Sequence, residues 1–202
     1  MDQLIEGYRR YRDKSWPELR ALHKYLAERG QAPRYLVIAC SDSRVDPATI
    51  FDMGPGELFV IRNVANLAPP FETNDGYHGV SAAIEFAVDN LKVSTILVLG
   101  HAQCGGVAAA LAGKPERPGS FLDKWVSLLK PAVARINPKA PDAPTALEHE
   151  SIRVTIENLE TFPFVQRAVK ERGLVLAGAR YGVADGDLEV LDRKDNVFRP
   201  VD

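Results

Sequence analysis

Five short apolar runs constrain this chain more than any other feature: residues 35–39 (YLVIA), 57–62 (ELFVIR), 95–99 (TILVL), 174–177 (LVLA) and 187–191 (DLEVL). Stretches with helical periodicity lie between them, at residues 76–91, 105–112, 120–136, 145–160 and 163–172. Runs this short do not make buried helices, and without a regular polar alternation most read as strands covered on both faces. The pattern predicts an α/β fold: a mostly parallel central sheet of four strands plus a fifth edge strand, with helices on both faces. In such sheets ligands bind at the carboxyl ends of the strands.

Ahead of the alternation, residues 2 to about 13 read as one helix, and a second follows Ser15-Trp16-Pro17-Glu18, which has the form of a capping box with a proline at its start. Gly30 closes it. Residues 1–30 therefore form an N-terminal helical arm, and the 202 residues, 46% of them hydrophobic, suffice for a single domain spanning 1–202. Asn137 to Pro144 reads as a surface connector, and Thr145-Ala146-Leu147-Glu148 as the cap of the helix at 145–160. A net charge of −2 without a basic run leaves no footprint for nucleic acid or an anionic membrane. No apolar run approaches the roughly 20 residues that span a bilayer, and the acidic start is unlike a signal peptide, so a cytoplasmic protein with a small substrate is expected.

The first strand runs into Ile38-Ala39-Cys40-Ser41-Asp42-Ser43-Arg44-Val45-Asp46-Pro47, and the third ends in Gly100-His101-Ala102-Gln103-Cys104-Gly105-Gly106. If the two strands are parallel neighbours, Cys40, His101 and Cys104 meet as a Cys2His set, the ligand count of a zinc site with an open fourth position. The chain has no third cysteine to close that set into a structural site. The plainer alternative is two buried thiols acting as small hydrophobes beside a satisfied core histidine. Asp42 and Arg44, two apart, can form a bidentate fork. On a surface that fork would be an ordinary loop ion pair. Beside a metal, Arg44 would keep Asp42 ionised and turned away from the ion, free to accept a proton.

ACSDSRVDP, GELFVIRNVAN and GHAQCGGV, in this order and spacing, resemble the β-class carbonic anhydrases, strongly over about residues 30 to 110 and weakly beyond. The resemblance implies reversible hydration of carbon dioxide to bicarbonate and a proton by attack of zinc-bound hydroxide. It also implies one Zn2+ per chain on Cys40, His101 and Cys104, with the Asp42–Arg44 dyad beside it. Gln31, Phe59 and Phe86 match the pocket of the plant-like subtype, with Phe86 standing where tyrosine is frequent, and Val64 and Gly105 complete the implied walls. Val37 replaces a tryptophan that another subtype uses in bicarbonate regulation, so Arg62 and Tyr181, which match the rest of that site, are expected to tie strand ends together. An open metal site at neutral pH and no cooperative inhibition by bicarbonate follow.

Two thiolates offset the metal's charge, so activity should favour alkaline pH. The resemblance also implies N-terminal helices that reach across to a partner, hence a homodimer or homotetramer; the small residues of Gly79 to Ala83 suit such a contact. His23, His78 and His149 are expected at the surface, with none assigned as a proton shuttle. Two alternatives stand beside hydration: hydrolysis of carbonyl sulfide or carbon disulfide on the same scaffold, and a non-catalytic zinc-stabilised binding or sensor protein.

Overall fold

Strand β1 (Tyr35–Cys40) has a parallel neighbour on each side, β2 (Leu58–Asn63) and β3 (Thr95–His101). The computed structural model describes residues 1–113 and 117–201. Beyond β3 the sheet continues through parallel β4 (Val175–Tyr181) to antiparallel β5 (Leu188–Asp192) and β6 (Val197–Pro200), in the order β2-β1-β3-β4-β5-β6. The expected four parallel strands are therefore present, and the edge holds two strands, not one. Residues 197–200 (VFRP) are few, partly charged and end in proline, a composition that edge pairing tolerates and that carries no apolar run.

Period-two alternation along β1 sends Leu36 and Ile38 to one face and Val37 and Ala39 to the other. The first face packs with Ile96 and Val98 of β3 against Ile152 and Ile156 of helix α8 (Ala143–Leu159). Ile152 enters a notch made by two glycines: a Cβ at Gly100 would lie 2.8 Å from its Cδ1, and one at Gly178 would lie 2.6 Å from its Cγ2. Below α8, Ile84, Ala87 and Val88 join the same core from α4 (Gly79–Glu85) and the π-helical turn Phe86–Asn90 that extends it. The opposite face packs against Ile50 of α3 (Pro47–Ile50) and the adjoining Phe51.

The local signals explain most boundaries. Asp46 Oδ1 accepts the Ala48 and Thr49 N–H groups and so starts α3. The stretch at 120–136 is broken into α6 (Phe121–Val126), a 3-10 turn and α7 (Lys130–Val133), with Pro131 unable to donate across the break. α5 (Gly105–Leu111) follows β3, and α9 (Pro163–Arg172) precedes β4. α8 starts two residues before Thr145, with Asp142 at the N-cap and Pro144 in its first turn, so Glu148 is no partner of a Thr145 cap.

The arm consists of α1 (Asp2–Lys14) and α2 (Trp16–Arg29), neither with a buried residue. Ser15 sits at the junction without a side-chain cap bond, and Gly30 ends α2 at φ 81°. Leu26 of α2 leaves no room for a side chain at Gly56, where a Cβ would lie 2.9 Å from its methyls. No described helix is long and apolar enough to cross a membrane.

Candidate metal centre

Adjacent parallel strands of equal reach deliver the cluster. Cys40 is the last residue of β1 and His101 the last of β3, with Ala39 paired to Leu99 across the ladder. The chain then turns at Gln103, whose φ of 58° is left-handed, and presents Cys104 at the head of α5. The Cys40, His101 and Cys104 donor atoms lie within 4.8 Å of one another, and all three residues are buried.

The spacing fits a metal. Cys40 Sγ and Cys104 Sγ are 3.9 Å apart, and two sulfurs at Zn–S distances of about 2.3 Å in tetrahedral geometry would be separated by about 3.8 Å. His101 Nδ1 is 2.8 Å from the Ala102 carbonyl, which can only accept, so the proton sits on Nδ1 and Nε2 keeps a bare lone pair. That Nε2 is buried and has no hydrogen-bond partner among the described residues. A satisfied core histidine would have a partner here; an unpaired buried acceptor is costly, and a cation facing the two sulfurs would remove that cost. Hydrogen bonding from Cys104 pulls the Cys40 thiol well below its usual pKa, while the same bond and burial push Cys104 up.

Asp42 stands beside this triad, with Oδ2 4.0 Å from His101 Nε2. Arg44 grips it as a fork, Nε–H to Oδ1 at 2.9 Å and Nη2–H to Oδ2 at 2.8 Å, and adds its backbone N–H to Oδ1 at 3.0 Å. These bonds hold the Asp42 carboxyl far below the usual carboxylate range, so it is ionised. Arg44 also donates to the Gln103 carbonyl at 3.2 Å. Arg62 donates to the Cys40, Asp42 and Val45 carbonyls at 3.0, 2.7 and 2.9 Å and so ties the β1 exit to β2. The Tyr181 carbonyl accepts the Ala102 N–H at 2.8 Å and ties β4 to the metal loop.

The five expected pocket residues separate into two groups. Val64 and Gly105 lie at the cluster: Gly105 follows Cys104, and a Cβ on Gly106 would meet Val64 Cγ1 at 2.7 Å. Phe59 pairs with Leu36, four residues before Cys40 pairs with Asn63, which places it about 13 Å down the strand. Phe86 stays with Phe59, ring centroids 5.8 Å apart, and exposed Gln31 precedes β1. Within one chain these three sit toward the amino ends of the strands, away from the sulfurs. The other histidines bond elsewhere: His23 with Tyr11, His78 with Asn74, His149 with Glu189.

Sequence reasoning missed Glu148, which is buried and accepts the Gln103 N–H at 2.7 Å. The available signal was a carboxylate on the inward stripe of α8 between Leu147 and Ser151, and the capping pattern obscured it.

The carbonic anhydrase family model matches residues 35–188. Beta carbonic anhydrase 3 of Arabidopsis thaliana is 33% identical over 96% of this chain and 78% of its own length. The solved β-carbonic anhydrase CcaA superposes with a TM-score of 0.84 at 31% identity, covering 100% of this chain and 92% of that one. A tetrameric β-carbonic anhydrase of the filamentous ascomycete Sordaria macrospora gives 0.81 at 31% identity over 95% of this chain and 96% of its own.

Proposed function

This chain belongs to the carbonic anhydrase family, within its β class, and from that premise we propose that it hydrates carbon dioxide reversibly at a zinc ion held by Cys40, His101 and Cys104. The observation that carries this reading is the bare, buried Nε2 of His101 facing two sulfurs at tetrahedral-ligand spacing. Zinc in such a site supplies a water acidic enough to act as a nucleophile near neutral pH. The protein's part is to orient that water and take up its proton's hydrogen bond. Asp42, ionised and 4.0 Å from His101 Nε2, is the acceptor, and the Arg44 fork, which engages both carboxylate oxygens, would hold it as an acceptor and keep it from becoming a ligand.

Val64 and Gly105 form the near wall. If Gln31, Phe59 and Phe86 line the same pocket they come from a second copy, since one chain keeps Phe59 about 13 Å down the strand, with Phe86 packed on it. This reading therefore requires a homodimer or a homotetramer, and the tetrameric Sordaria relative supports it. The whole chain then acts as one domain with residues 1–30 as an arm toward the partner. Val37 stands where tryptophan would, and Arg62 spends Nε and Nη2 on the Cys40, Asp42 and Val45 carbonyls, which together support an unregulated, open site. The two free thiols suit a reducing, cytoplasmic setting.

The test is a comparison of carbon dioxide, carbonyl sulfide and carbon disulfide as substrates of zinc-loaded protein. Hydration of carbon dioxide well above turnover of either sulfur analogue is expected. Preferred hydrolysis of a sulfur analogue, or zinc binding with no turnover of any of the three, would overturn the reading.

A further inference from the structure

Glu148 is a carboxylate with 4% exposure, on a helix whose other buried residues carry no charge. Its two oxygens have separate tasks. Oε1 accepts the Gln103 backbone N–H at 2.7 Å, and Oε2 accepts the Arg180 Nε–H at 2.8 Å. Arg180, near the end of β4, gives a second N–H to Glu189 Oε2 at 2.9 Å, and that oxygen is 3.1 Å from His149 Nε2. The carboxylate is thus fixed by a chain of partners that runs from the core out to the sheet edge.

Gln103 is the second of the two residues between His101 and Cys104, and it is held from two sides. Glu148 takes its N–H from the interior, while Arg44 donates Nη2–H to its carbonyl at 3.2 Å and places Nη1 3.5 Å from its Oε1. Its φ of 58° lies in the left-handed region, uncommon for a residue with a side chain, and bonds from both sides hold it there. Relaxing Gln103 toward ordinary angles would change the separation of the two donors on either side of it and withdraw the acceptor that steadies the Arg44 guanidinium.

We propose that Glu148, anchored by Arg180, is the positioning residue of this centre: it clamps the Gln103 turn, and through that turn sets the spacing of His101 and Cys104 and the orientation of the Arg44–Asp42 fork. The inference rests on the zinc reading above. Outer groups that orient metal ligands commonly account for 10–100-fold in metal affinity or activity.

Glu148→Gln tests it without opening a cavity, because the carboxamide keeps the shape but offers one acceptor where two donors converge. Zinc affinity, measured by competition with a chromogenic chelator, should fall about tenfold or more. The d–d spectrum of the cobalt(II)-substituted variant should shift, and kcat should fall about tenfold with KM within about twofold. Glu150→Gln, two residues along α8, removes the charge that pairs with Arg153 at 2.8 Å but touches no part of the turn, and it should leave zinc affinity and the cobalt spectrum unchanged. If Glu148→Gln does not fold, Arg180→Lys, which keeps the charge and loses the aimed Nε–H, should weaken zinc binding at least about threefold relative to Glu150→Gln. Zinc affinity and cobalt spectrum unchanged in whichever Glu148 or Arg180 variant folds, or lost equally in Glu150→Gln, would overturn the inference. Failure of the unmutated chain to bind one zinc would instead overturn the reading it rests on.

Discussion

At the scale of single residues, the centre is defined by what each donor lacks. His101 Nε2 has no hydrogen-bond partner among the described residues, and the Cys40 and Cys104 sulfurs, 3.9 Å apart, have little besides each other. Cys104→Ser, which replaces a thiolate with a hydroxyl of ordinary acidity, should reduce zinc content to about a tenth or less of one per chain and abolish turnover with it. Metal analysis after dialysis gives the answer. Arg44→Ala should behave differently: zinc stays, because no donor is lost, while hydration falls about 10–100-fold as Asp42 loses its fork. Parallel metal and activity measurements separate the two variants. Away from the centre, His149 has its pKa lowered by burial, with the Glu189 bond offsetting only part. The unfolded chain therefore binds this proton more readily than the folded one, and stability is lost as pH falls through about 6.5 and retained above it. His149→Gln should show a smaller drop in Tm between about pH 8 and about pH 5.5 than the unmutated protein; an equal drop would assign the acid sensitivity elsewhere.

At the scale of elements, α8 connects the sheet to the metal loop. Its Ile152 fills the notch at Gly100 and Gly178, which brings the helix close enough for Glu148, one turn earlier, to reach the Gln103 turn. Gly178→Ala would press a methyl to 2.6 Å from Ile152 Cγ2, at an expected cost of about 1–3 kcal/mol. Ile152→Ala in the same chain should restore part of that loss, which equilibrium unfolding of the single and double variants measures. The elements that place the triad were legible from residues alone. β1 and β3 read as buried strands because Tyr35 to Ala39 and Thr95 to Leu99 carry no polar interruption, and parallel pairing then forced Cys40 toward His101. β6 was not legible, since Val197–Pro200 has too few apolar residues to be told from a loop. The Thr145 to Glu148 pattern misled because Asp142 and Pro144 start α8 earlier, freeing Glu148 for a long-range partner that no local rule predicts. Phe59 and Phe86 were expected in the pocket by resemblance; their rings lie 5.8 Å apart, but which sulfur cluster they face depends on a second chain and is beyond any local signal.

At the scale of the whole molecule, the two arm helices bury no residue and expose Leu4, Ile5, Tyr8 and Tyr25, an apolar surface that a partner copy would cover. Sedimentation should find a dimer or tetramer and no stable active monomer. Sharing of sites between copies is testable by mixing. A Cys40→Ser chain and a Phe59→Ala/Phe86→Ala chain should each be nearly inactive, while random pairing should regain about a quarter of full activity through the one intact site of each mixed dimer. No gain on mixing would place the aromatic pair outside the pocket. The central claim, that the Cys40, His101 and Cys104 cluster holds the zinc at which carbon dioxide is hydrated, is tested most directly by stopped-flow hydration on one preparation before chelation, after chelation and after zinc is returned. The predicted result is hydration that vanishes as zinc content falls to zero and returns in proportion as it rises to one per chain; hydration that survives complete zinc removal, or one bound zinc per chain without hydration, would contradict it.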